Sequence, residues 1–261
     1  MSQHTTVSLQ DLCIGYGTSE KRERIVAQHL HAELHSGELT CLLGANGIGK
    51  STLLRTLAAF QPKLDGDIIV DGQSIDSYTQ RQQSKMIGIV LTERPEVQQL
   101  TVEALVSMGR QPYTGFFGKC KEDDVKAVNE AIEAVNISAL RHRWFYTLSD
   151  GERQKVMIAK TIAQQTPIIY LDEPTAFLDF PSKVEMMRLL RRISQQQDKT
   201  VFLSTHDITL ALQLADQLWL MLADGLHTGT PRELADDGTL NQYLTGTGIT
   251  LNQEDLTLKI Q

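Results

Sequence analysis

Two apolar rhythms run along the chain. Alternating segments, VSLQDL at 7–12 and GDIIVDG at 66–72, read as strands bounded by turn residues, so that 1–40 and 64–76 suggest an antiparallel β layer. Continuous short runs form the second rhythm. ELTCLL (38–43), Ile168–Leu171 and TVFLST (200–205) have the length and apolar density of strands buried on both faces, the habit of parallel sheets. TLLRTLAAF (52–60) has helical spacing instead, with Leu53, Leu54, Leu57 and Ala58 on one side. From about 94 to 150 the pattern is helical: Leu105 and Met108 are spaced for one face, and Val125, Val128, Ile132 and Val135 for another. Between them, RQPYTGFFGK (110–119) reads as a loop exposing Tyr113, Phe116 and Phe117. After Pro231 the periodicity is modest and no motif stands out.

Composition narrows this α/β reading. At 261 residues with 41% hydrophobic side chains, one large or two small domains with a sizeable core are expected. No stretch reaches the roughly 18 to 20 unbroken apolar residues of a membrane span, and MSQHTTVSLQDL lacks the basic and apolar regions of a secretory signal. Cys13, Cys41 and Cys120 have no metal-ligand spacing and fit a reducing compartment. A net charge of −7 without a Lys/Arg cluster argues against a nucleic-acid partner.

The chemistry lies where the apolar runs stop. GANGIGKST (44–52) fits G-x-x-x-x-G-K-[ST] between a strand and a helix, and comprises Gly44, Ala45, Asn46, Gly47, Ile48, Gly49, Lys50, Ser51 and Thr52. Gly44, Gly47 and Gly49 let successive N–H groups converge on phosphate oxygens, Lys50 adds a charge for the β and γ phosphates, and Ser51 offers a hydroxyl to Mg²⁺. The strand IIYL ends in Asp172 and Glu173, placed for Mg²⁺ binding and for polarising an attacking water, because open α/β sheets work at the carboxyl ends of their strands. TVFLST delivers His206 to the same edge, suited to holding that water in line. LSDGERQ (148–154) is a second anion-binding loop at a helix start.

With these motifs in order, the chain resembles the ATP-binding subunit of an ABC transporter, over about residues 6 to 235. GANGIGKST is similar to that family's Walker A, LSDGERQ to its signature, IIYLDE to its Walker B with the catalytic glutamate, AFLD to its D-loop ending in Asp179, and STHD to its switch histidine. The resemblance implies a P-loop NTPase core with an antiparallel β subdomain and an inserted α-helical subdomain, forming one domain over 1–235 (helical part about 94–150) followed by a tail, 236–261, without assigned function. It implies ATP and Mg²⁺ as cofactors and Tyr16 as the aromatic on adenine. It also implies a head-to-tail dimer with a second copy, in which Ser149, Asp150, Gly151 and Glu152 reach the partner's ATP. The other expected partners are transmembrane permease subunits, whose coupling helix would lie against the helical lobe, and indirectly a solute-binding protein. The expected place is the cytoplasmic face of the inner or plasma membrane, held peripherally through the permease.

TAFLD and GRQPYTGFFG are similar to the iron–siderophore, haem and cobalamin importers. The alternatives are an importer for another solute, such as a metal ion, or a non-transport ABC ATPase. Two departures stand out. Asp150 takes the place of a glycine, and its carboxylate is expected to point away or cap the helix that begins there. IGIVLTERPEV puts Thr92 or Glu93 where the family has a glutamine; Glu93, a hard oxygen donor, is the expected substitute ligand for Mg²⁺.

Overall fold

A computed structural model describes residues 4–18, 21–92, 99–114 and 121–260, and there the two apolar rhythms build two sheets. The alternating segment VSLQDL lies in β1 (Thr5–Thr18), which pairs antiparallel with β2 (Lys21–His35). The first continuous run is β3 (Leu39–Gly44), buried at every position, and it feeds α1 (Lys50–Leu57). Next come β4 (Asp65–Val70), β5 (Gln73–Ser74), α2 (Gln80–Met86) and β6 (Ile87–Val90). The helical region contributes α3 (Val102–Ser107), α4 (Glu122–Ala134) and α5 (Asp150–Ala163). Then follow β7 (Ile168–Asp172), α6 (Phe180–Gln197), β8 (Thr200–Ser204), α7 (Ile208–Leu214), β9 (Gln217–Leu222) and β10 (Gly225–Gly229). The chain closes with α8 (Pro231–Asp236), α9 (Thr239–Leu244), β11 (Ile249–Asn252) and β12 (Thr257–Ile260).

The antiparallel sheet has the order β2-β1-β4-β5, and the larger sheet the order β10-β9-β3-β8-β7-β6. Within the larger sheet β3 pairs parallel with β8 and β9, β7 pairs parallel with β6 and β8, and only the edge strand β10 runs antiparallel. The carboxyl ends of β3, β7 and β8 therefore open on one edge, where parallel sheets carry chemistry. Side chains alternate across the sheet between two cores. Leu42, Tyr170, Phe202 and Trp219 face the antiparallel layer and α1, while Cys41, Leu43, Leu171 and Leu203 face the remaining helices. Phe202 sits 6.0 Å, edge-on, from Tyr170 and 4.7 Å from Trp219, a row of rings that ties β7, β8 and β9 beneath the sheet.

In the helical region two expected face residues lie elsewhere. Met108 is partly exposed because α3 stops at Ser107 and the chain tightens into a 3₁₀ turn, so helical spacing no longer carries over. Val125 is exposed because the buried stripe of α4 runs through Val128, Ala131, Ile132 and Val135, and in the first turn the buried position belongs to Asp124. Asp124 meets Arg110 at 2.9 Å, and the Arg110 guanidinium stacks 4.2 Å from the Tyr113 ring, so that this aromatic is half-buried rather than free. Phe116, Phe117 and Cys120 lie outside the described residues.

The segment after Pro231 is packed. Thr230 and Glu233 form a capping box at the start of α8, and Leu234, Ala235 and Leu240 join the main core. Arg232 donates to the carbonyl of Glu254 at 2.9 Å, fastening the β11–β12 hairpin to α8. Among the described residues, no helix is long and apolar enough to cross a membrane.

Candidate functional site

Leaving the buried strand β3, the chain has to reverse within five residues before α1 begins, and glycine makes that turn possible. Gly49 has φ 119°, and a Cβ built there would stand 2.4 Å from Val26 Cγ1, so neither the backbone angle nor the space admits a side chain. Ala45, Asn46 and Gly47 are exposed at the tip, whereas Ile48 packs on the core beneath the antiparallel sheet. Lys50 is 6% exposed, and its Nζ donates to the carbonyls of Gly44 at 2.8 Å and Ala45 at 3.1 Å, so the ammonium lies under the loop. Burial pushes the Lys50 pKa down, while the carboxylates of Glu173 and Asp172 push it back up. Ser51 lies in the first turn of α1, and Thr52 accepts or donates a 2.9 Å hydrogen bond with the Tyr16 hydroxyl, which places the half-exposed Tyr16 ring beside the loop.

β7 supplies both acids. Asp172 is 2% exposed, and its Oδ1 accepts from Ser204 Oγ at 2.7 Å, because the parallel register sets Asp172 opposite Ser204. The Ser204 Oγ also accepts the Glu173 N–H at 2.9 Å. Here the backbone turns sharply: Glu173 has φ 50°, a left-handed conformation that costs a non-glycine residue about 1 kcal/mol or more. Its side chain is thereby directed to His206, whose Nε2 lies 2.6 Å from Glu173 Oε1. Thr205 N–H, donating to the Leu42 carbonyl at 3.1 Å, holds the His206 segment against the end of β3. The resulting hollow, of about 450 Å³, is walled by Glu173, His206, Asp207 and Lys183.

Thr92 also reaches this edge, donating to the Asp172 carbonyl at 3.2 Å, while Glu93 lies outside the described residues. Sequence reasoning missed Ser204. The only signal for it was its place immediately before Thr205 and His206, at a strand end whose register no linear pattern reveals.

The second loop is built differently. Ser149 caps α5 and exchanges hydrogen bonds with Glu152, so the Glu152 carboxylate turns back to the Ser149 N–H at 2.8 Å. That N–H, with the Ser149 hydroxyl and Arg143, holds the Glu152 carboxyl below the usual range. Asp150 Oδ1 lies 3.8 Å from Arg153, one turn along the helix, which draws the carboxylate sideways. Gly151 abuts the Phe177–Leu178 turn, where a Cβ would sit 3.3 Å from the Phe177 carbonyl oxygen. That turn leads to Asp179, which caps α6 by accepting from Ser182 N–H at 3.0 Å. The structure thus gathers Lys50, Asp172, Glu173, His206 and Thr92 at one edge. The contacts of the second loop run to Arg143, Arg153 and the 177–178 turn.

A separate groove of about 780 Å³ beside the helical lobe is lined by Phe60, Ile87, Ile89, Met108, Pro112 and Lys160.

A glycine loop between a parallel strand and a helix, with two acids and a histidine at neighbouring strand ends, defines a P-loop nucleotide-binding cassette. The chain belongs to the ABC transporter family, whose model matches residues 27–176. It is 35% identical over 213 residues to a petrobactin import ATP-binding protein, FpuC, of Bacillus anthracis, covering 81% of this chain and 78% of the relative. It is 34% identical over 227 residues to the ferric enterobactin transport ATP-binding protein of Escherichia coli, covering 86% and 82%. Among solved structures, a chain from a transporter described as of metal-chelate type, in an inward-facing conformation, superposes with a TM-score of 0.79 at 27% identity, covering 98% of this chain and 96% of that one.

Proposed function

We propose that this chain binds and hydrolyses ATP as the nucleotide-binding subunit of an importer for iron–siderophore-type chelates. The observation that carries the ATPase reading is the convergence of the Lys50 loop, buried Asp172 and the 2.6 Å Glu173–His206 contact on one sheet edge. Residues 44–52 would cradle the phosphates, with Lys50 exchanging its carbonyl partners for phosphate oxygens and Tyr16 stacking on adenine. Ser51 and Asp172, with Thr92 hydrogen-bonded to the Asp172 carbonyl and Glu93 next to Thr92 in sequence, are the hard oxygen donors that suit Mg²⁺, which supplies charge neutralisation to the phosphates when bound. Glu173 would take the proton of the attacking water, and His206 would hold Glu173 and the water in line. Ser149, Asp150 and Gly151 would complete the site on a second copy, to which the α5 N-terminus offers N–H groups and Asp179 an adjoining contact.

The groove beside the helical lobe would receive a cytoplasmic helix of the permease, and so hold the chain at the membrane. The solute class rests on the relatives that import petrobactin and transport ferric enterobactin.

Glu173→Gln is expected to slow hydrolysis by about a hundredfold or more while ATP binding persists, and to accumulate a dimer in Mg-ATP. ATPase assays and size-exclusion chromatography check both, and a variant that turns over ATP normally would remove Glu173 from the mechanism. Copurification with the membrane subunit, followed by ATPase assays with ferric siderophores, haem and cobalamin, tests the solute class.

A further inference from the structure

The acid and the histidine are joined twice, once directly and once around the back of their pocket. Directly, His206 Nε2 meets Glu173 Oε1 at 2.6 Å. The other route begins with two tight turns after Glu173, in which Ala176 N–H donates to the Glu173 carbonyl at 3.2 Å and Leu178 N–H to the Thr175 carbonyl at 3.2 Å. Asp179 then caps α6, and in the first turns of that helix stands Lys183, whose N–H donates to the Asp179 carbonyl at 2.9 Å. Lys183 Nζ lies 3.4 Å from Asp207 Oδ2, and Asp207 is the neighbour of His206. The carboxylate of Asp207 divides its oxygens between this ammonium and the Leu210 N–H at 3.2 Å, which starts α7.

We propose that Lys183 is a positioning residue: its ion pair with Asp207 closes a ring, Glu173–turns–Asp179–Lys183–Asp207–His206, that fixes the Glu173–His206 geometry. This rests on the reading of Glu173 as the base. The ring has an input, because Gly151 of the signature helix packs on Phe177 and Leu178, within its turns. A shift of α5 against the 177–178 turn therefore moves Asp179 and α6, and through Lys183 it reaches the loop that bears His206. Among the described residues, this pair is the ion pair between that loop and α6. Partly exposed pairs contribute little to stability, so a kinetic effect here would not follow from unfolding.

The test uses the full-length chain with Mg-ATP. Lys183→Met is expected to lower kcat by about tenfold with little change in KM, since misplacement of the dyad acts on the chemical step. Lys183→Arg restores kcat, and Lys183→Met combined with Asp207→Asn is no slower than Lys183→Met alone, as members of one ring are not additive. An unchanged kcat, a change confined to KM, or additive losses would overturn the proposal. In parallel, the His206 Nε2 resonance in ¹⁵N NMR is expected to move in Lys183→Met toward its position in Glu173→Ala. If it stays at the wild-type position, the ring does not hold the dyad, whatever the ATPase shows. Should Glu173→Gln hydrolyse ATP normally, the mechanistic reading falls, and the resonance still judges the ring.

Discussion

Ser204 illustrates how much one buried side chain can set. Its hydroxyl donates to Asp172 and accepts from the Glu173 N–H, so it spaces the two acids and stabilises the left-handed turn between them. Ser204→Ala strands one carboxylate oxygen and one N–H, and is expected to cost about 1 to 3 kcal/mol in urea unfolding and to slow ATPase. An unchanged midpoint and rate would make the serine dispensable. Lys50, Asp172, Glu173 and His206 were legible in the sequence because each sits at a fixed offset from a strand whose apolar run marks its end. Ser204 was not, since its role exists only through the β7–β8 register. Nor was the capping of α5 by Ser149 and Glu152 read from LSDGERQ, although S-x-x-E is a capping signal, because the anion-binding reading claimed the same residues.

At the scale of elements, the α4 face was half legible. Periodicity marked Val128, Ile132 and Val135, but it counts a carboxylate as solvent-facing and so passed over Asp124. In the structure Arg110 binds Asp124 at 2.9 Å and the Ala163 carbonyl at 2.8 Å, fastening the turn after α3 to α4 and to the end of α5. Asp124→Ala leaves that guanidinium buried without its carboxylate and is expected to destabilise by about 3 kcal/mol, read by urea unfolding. The Lys121 N–H, and after it Arg110, hold the Asp124 carboxyl below its ordinary value. A depressed folded-state pKa adds stability above the unfolded value, about 3.9, and that stability is lost as pH falls through the folded one. Asp124→Asn should accordingly flatten the acid limb of the stability curve below about pH 4.

Over the whole molecule, the tail is part of the cassette's core. Leu240 is fully buried, so Leu240→Ala is expected to cost about 2 to 4 kcal/mol and lower the thermal midpoint; a loss below 1 kcal/mol would mean that α9 is peripheral. Its sequence showed little of this, because short helices and a hairpin bury only isolated positions and leave no sustained period. By itself the sequence determined what depends on neighbours along the chain: buried strands, the glycine turn at 44–49, and reactive groups at strand ends. Tertiary structure alone decided what depends on neighbours in space. Sheet order gathered the strand ends at one edge, register placed Ser204 between the acids, and packing chose Asp124 over Val125 for the interior. Linear patterns record each residue's preference for water, whereas register, burial and pairing are settled by partners that come from distant parts of the chain.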